Sequence, residues 1–213
     1  MGNSSDSCPH GVEGRAQRRL QDKKSSVVHK ALLWLSFYLL PIVVLAADIP
    51  AFSLSSSEFA PGRPIPMLHV FNATGCTGGN RSPALEWRNV PAGTQSFAIT
   101  MFDLDEHGSP SGWWHWVVYD LPSTTRSLPE NAGSDKKPAL PNGTVQGRTD
   151  FGNDAYDGPC PDKGDGPHRY VITIYALKIA KLPVPREASG AMVSYTVREY
   201  MLAKSALTST YAR

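Results

Sequence analysis

Gly158-Pro-Cys-Pro-Asp-Lys-Gly-Asp-Gly-Pro-His-Arg-Tyr170 runs directly into Val171-Ile-Thr-Ile-Tyr-Ala-Leu177. Proline fixes φ and glycine tolerates positive φ, so the first part reads as a loop of defined shape with little packing of its own. The second part is apolar and β-branched, the composition of a buried strand. A stiff loop therefore delivers His168 and Tyr170 to a strand mouth, the setting of a small preformed site. Working outward, Leu68–Phe71, Ser96–Asp103, Trp113–Asp120 and Tyr170–Ile179 read as strands, separated by Gly- and Pro-rich turns. One helix is expected over Ala191–Leu207, where Met192, Tyr195, Tyr200, Leu202, Ala203 and Leu207 roughly follow three-to-four-residue spacing without Pro or Gly. Strands early and a helix late give a mainly antiparallel β domain with a helix packed on its edge.

The first 46 residues read as a targeting segment. Arg15, Arg18, Arg19, Lys23, Lys24 and Lys30 precede the apolar run Ala31–Leu45, which ends at Ala46 and Ala47. Basic, apolar, then small is the order of a secretory signal, with cleavage expected after Ala46. The alternative is an uncleaved anchor, but the run is shorter than the ~20 residues of a spanning helix and contains Pro41. The expected domain is 47–213, secreted or periplasmic. It carries 15 Lys/Arg against 16 Asp/Glu, so the chain's basic balance belongs to the leader. With no basic tract interleaved with aromatics in the remainder, nucleic acid is not an expected partner.

Cys8 lies in the leader, leaving Cys76 and Cys160. An even count in an exported chain favours one disulfide, the alternative being two separate thiols.

Candidate chemistry centres on His115 in Gly112-Trp-Trp-His-Trp-Val-Val-Tyr119 and on His168. Strict alternation puts Trp113, His115 and Val117 on one face. A histidine among aromatics is by itself commonly a core residue. A hairpin from Asp103 to Trp113, however, would bring Asp103 near His115, and His168 opens another strand. A carboxylate beside an imidazole orients it and favours its charged form, a donor to phosphate-like groups. Hydrolysis would also need a nucleophile, and no Gly-x-Ser-x-Gly elbow is present, so binding is favoured and no catalytic residue is expected. A metal set drawn from Asp103, Asp105, His115 and His168 is a weaker alternative without a local signature, so neither metal nor cofactor is expected.

Ser82-Pro-Ala-Leu-Glu-Trp87, Pro91-Ala-Gly-Thr-Gln-Ser-Phe97, Asp103-Leu-Asp105, Gly112-Trp-Trp-His-Trp-Val-Val118 and Gly158-Pro-Cys-Pro through Gly166-Pro-His-Arg-Tyr170 together resemble the phosphatidylethanolamine-binding protein family. They are most similar to its bacterial, Raf-kinase-inhibitor-like branch, from about Phe52 to Arg213. The resemblance implies two antiparallel sheets in a Greek-key, β-sandwich-like arrangement with peripheral helices, including a C-terminal one. It implies a pocket for phosphate or phosphorylethanolamine-like groups, built from Asp103, Asp105, His115, Pro161, His168 and Tyr170. It also implies an alternative role as inhibitor or modulator of a protein partner, and a homodimer. Leu104 stands where the family has the middle proline of Asp-Pro-Asp, and Asp162 where a second loop proline is usual.

Overall fold

The structure, a computed structural model, describes residues 50–109 and 111–213; the leader assigned from sequence lies outside the described residues. Its elements are β1 (Ser53–Ser55), a 3-10 turn (Met67–His69), β2 (Leu85–Arg88), β3 (Ser96–Asp103), β4 (Trp113–Pro122), β5 (Ser127–Leu128), β6 (Val145–Gln146), β7 (His168–Leu177), α1 (Gly190–Tyr200) and β8 (Met201–Tyr211). A three-stranded sheet has the order β1-β2-β5 and a five-stranded sheet the order β6-β4-β3-β7-β8. Every pairing between these strands is antiparallel. The domain is thus mainly β with two antiparallel sheets, as expected.

The two sheets pack through one core. Leu54, Leu85, Trp87 and Leu128 of the small sheet meet Phe97, Ile99, Met101, Trp116, Val118, Ile172 and Ile174 of the large one. Full burial of such side chains contributes roughly 1.5–3 kcal/mol each, so this core rather than the site holds the domain. The opposite face of the large sheet carries Ala98, Val117, Tyr119 and Leu177, and α1 covers it with Val193 and Val197. With both faces covered, β3 is almost wholly buried and apolar between its ends except at Thr100.

Two expectations change. Leu68–Phe71 is not a strand: a 3-10 turn begins at Pro66, whose carbonyl accepts the His69 N–H, and Met67 accepts that of Val70. In place of a ladder partner, the carbonyls of Leu68, Val70 and Phe71 accept from the Arg81, Asn80 and Gly78 N–H groups of the following loop. The late helix is shorter than its periodicity suggested. Ser189 caps its start by accepting the Met192 N–H, but it ends at Tyr200 and the chain continues as edge strand β8. From Ala203 onward inward and outward residues alternate, with Leu207 and Ser209 buried and Thr208 exposed, and the strand pairs with β7 along its length.

Candidate functional site

Register builds the site. Asp103, the last residue of β3, pairs with Trp113 on β4 and with Tyr170 on β7, which sets three side chains in a row at one end of the sheet. Gly112 makes the entry into β4 feasible. Its φ is +77°, and a Cβ there would overlap the Phe102 ring and the Asp103 carbonyl oxygen.

His115 reaches the same place through a bulge. Phe102 pairs with Trp114 and Met101 with Trp116, so His115 is the extra residue. The bulge breaks the alternation expected from sequence. His115 joins Trp113 at the cavity, whereas Val117 packs with Tyr119 on the helix-covered face. Its Nδ1–H donates to the Asp157 carbonyl at 2.8 Å, which leaves Nε2 as the free ring nitrogen. The Asp157 side chain is itself held by the Thr149 hydroxyl at 2.6 Å and the Asn153 amide at 3.0 Å. Burial pushes the His115 imidazole below its ordinary range, against the raising effect of the Asp157 carbonyl and the Asp103 charge.

Asp103 and His115 line the same cavity, but the carboxylate's bond goes elsewhere. Asp103 Oδ2 accepts from His168 Nδ1 at 2.9 Å, and Oδ1 accepts the Asp105 N–H at 2.9 Å. The expected Asp103-to-His115 orientation is therefore replaced by Asp103-to-His168, because His168 shares a face with Tyr170 two residues along β7.

The cavity measures about 110 Å³ and is lined by Asp103, Glu106, Trp113, His115, Phe151, Cys160 and Tyr170. That is below the ~300–1,000 Å³ of drug-sized pockets. Two buried donors on its wall, Trp113 Nε1–H and Tyr170 O–H, make no well-formed hydrogen bond within the protein, although the Asp103 carboxylate lies near enough to the Tyr170 hydroxyl to act on it as an acceptor. Burial, then the charge and the acceptor oxygens of Asp103, push the Tyr170 hydroxyl far above its usual range, so it remains an O–H donor. A wider cleft of about 330 Å³ between Ser134 and Arg186 holds none of the buried histidines.

The remaining expected residues lie around this wall. Asp105 faces Arg169 instead, accepting its backbone N–H at 2.8 Å and its guanidinium at 2.8 and 2.6 Å. Arg169 holds the Asp105 carboxyl down to about 2. Asp105 is a clasp between β3 and β7, and Leu104 adds a bond that proline lacks, its N–H donating to the Arg169 carbonyl at 3.0 Å. Pro161 is buried beside Cys160 but does not line the cavity, and Asp162 is exposed. His168 stands behind Asp103, outside the lining. Cys76 and Cys160 are placed as a pair with Cα atoms 6.0 Å apart, fastening the loop ahead of β7 to the segment after the 3-10 turn. Gly158 permits that approach, since a Cβ there would overlap the His69 carbonyl oxygen.

Trp113, placed on the His115 face by alternation but not expected as a site residue, joins Glu106 and Phe151 in the lining. An acidic turn residue and a loop aromatic carry no sequence signal of their own.

Comparison with known proteins agrees with this fold. The phosphatidylethanolamine-binding protein family model matches residues 55–212. The chain is 44% identical to YbcL of Escherichia coli over 172 residues, covering 81% of this chain and 93% of that one. It is 46% identical to YbhB of the same organism over 159 residues, 75% of this chain and 99% of that one. A Mycobacterium tuberculosis protein named as lipoprotein LppC is 30% identical over 159 residues, 75% of this chain and 71% of that one. The crystal structure of E. coli YbcL, described as a member of the mammalian PEBP family, superposes with a TM-score of 0.74 over 77% of this chain and 99% of that one. A match of that extent in both sequence and fold places the chain in the phosphatidylethanolamine-binding protein family.

Proposed function

We propose that the protein is an exported, non-catalytic binder of small phosphate-bearing head groups, with phosphorylethanolamine as the fitting class. The observation that carries this reading is a pair of buried donors without a well-formed hydrogen bond, Trp113 Nε1–H and Tyr170 O–H, on the wall of one small cavity. Buried donors without acceptors are costly, and a ligand's phosphate oxygens would satisfy both. Asp103 and Glu106 on the same wall disfavour a bare anion but suit a ligand that also carries an ammonium group. His115 contributes a charge-assisted donor once its Nε2 takes a proton. Asp103 is in turn steadied by His168.

Binding rather than covalent catalysis fits the lining. Among the described residues there, the one hydroxyl is that of Tyr170, held protonated, and Cys160 is paired with Cys76. Export fits the basic and apolar leader, the cysteine pair and the lipoprotein name of one relative.

Calorimetry with phosphorylethanolamine and inorganic phosphate tests the reading. One site per chain is expected, with phosphorylethanolamine tighter. Trp113→Phe, which keeps a ring and removes the N–H, should weaken both by roughly tenfold. No binding by the parent protein, or unchanged binding by the variant, would contradict the assignment.

A further inference from the structure

His168 raises a problem that the head-group site does not solve. Its ring is 1% exposed, and Nδ1–H is committed to Asp103 Oδ2, so in the neutral ring the lone pair sits on Nε2. That Nε2 is buried without a hydrogen-bond partner. Its carboxylate neighbour is Asp165 Oδ2 at 3.7 Å, too far for a hydrogen bond. A lone pair and a carboxylate oxygen thus face each other across a gap, an arrangement that a positive centre between them would relieve.

A third ligating atom lies at the same gap. His107 Nδ1 is also 3.7 Å from Asp165 Oδ2, and its ring centroid is 5.5 Å from that of His168. The three atoms lie within 4.8 Å of one another. Zinc binds nitrogen and carboxylate oxygen at about 2.0–2.2 Å, which makes tetrahedral ligand-to-ligand separations about 3.3 Å. The Asp165 edges therefore need to close by only a few tenths of an ångström, within the reach of two loop residues. Two imidazoles and one carboxylate are a ligand set for zinc and related transition-metal ions. Asp103 behind His168 completes the carboxylate–histidine–metal relay that orients such ligands.

We propose that His107, Asp165 and His168 form a binding site for a divalent transition-metal ion, open to solvent on the His107 side. This departs from the expectation of no metal drawn from sequence, and it uses His107 and Asp165 in place of Asp105 and His115. The ion would tie the β3–β4 loop to the loop ahead of β7, both of which border the head-group cavity. A second set, Asp103, Glu106 and His168, also clusters. In that set Asp103 already accepts the His168 Nδ1–H, and Glu106 lines the head-group cavity.

The test is titration of chelator-treated full-length protein with zinc by calorimetry, and with cobalt(II) by visible absorption. One zinc equivalent per chain should be lost, or weakened by ~100-fold or more, in His107→Ala and in Asp165→Asn, together with the cobalt d–d bands. His107 is largely exposed, so its removal leaves folding intact. Asp103→Asn should weaken the same equivalent by ~10–100-fold, and Glu106→Gln should leave it unchanged. Zinc binding that survives both loop substitutions, that disappears with Glu106→Gln instead, or that is absent from the parent protein would overturn the assignment.

Discussion

Asp103 and His168 form a hydrogen-bonded pair 2.9 Å long in which each side chain is 1% exposed. The pair links the end of β3 to the start of β7 and sits directly behind the cavity wall. Removing one partner leaves the other buried and unsatisfied, at a cost of about 3 kcal/mol. Asp103→Ala should therefore lower the urea midpoint markedly as well as weaken head-group binding. An unchanged midpoint would mean that the pair is not formed in solution.

Glu106 separates two kinds of ligand. It lines the cavity and is half-buried, so Glu106→Gln should leave folding intact. If its carboxylate faces the ammonium group, the variant should bind phosphorylethanolamine more weakly and inorganic phosphate more tightly, by a fewfold each. Parallel shifts for both ligands would place the ammonium group elsewhere.

His115 sets the pH dependence. The groups facing it are Asp103, Glu106, Tyr170 and the Asp157 carbonyl, yet burial dominates and lowers its pKa. Its folded value lies below the unfolded ~6.5, so the unfolded chain binds the proton first as pH falls. This group's contribution to stability is thus complete above ~6.5 and is lost as pH falls from there toward the folded value. Binding has the opposite sign. A phosphate diester head group, which does not titrate in this range, should bind more tightly as pH drops below 6.5, with proton uptake at pH 7. Calorimetry in buffers of different ionisation enthalpy measures that uptake, and its absence would remove His115 as a charged donor.

The cysteine pair spans 84 residues of sequence, and closing a loop of that length contributes about 4–5 kcal/mol in the chain-entropy model. Cys160 also lines the cavity. Reduction, or Cys160→Ala, should lower stability by ~2–5 kcal/mol and loosen head-group binding. Mass analysis of exported protein under non-reducing conditions should count no free thiol at Cys76 or Cys160; two would contradict the pairing.

The long strands β3, β4 and β7 were legible because β-branched and aromatic runs were framed by Gly and Pro. β8 was not. Met201-Leu-Ala-Lys204 has good helix formers and no punctuation separates it from α1, so only pairing with β7 makes it a strand. The cavity's position was legible from His115, Asp103 and Tyr170, but its wiring was not. The bulge at His115 inverts the face that period-two reading assigns to Val117, and the choice of Asp103 for His168 is a matter of register across two strands. Asp105 was expected as a ligand because the resemblance puts the second aspartate of Asp-Pro-Asp there, yet Arg169 takes it in three hydrogen bonds.

The most direct test of the head-group site is Tyr170→Phe, followed by calorimetry with phosphorylethanolamine and by thermal unfolding. The Tyr170 hydroxyl is buried and makes no well-formed hydrogen bond within the protein, with the Asp103 carboxylate beside it. Its removal should change stability by less than about 1 kcal/mol, because only an imperfect contact with Asp103 is lost. Affinity should nevertheless fall by about 10–100-fold, the worth of one hydrogen bond to a charged group. Unchanged affinity, or a fall in stability with no effect on binding, would show that the hydroxyl serves the fold and that the cavity is not the head-group site.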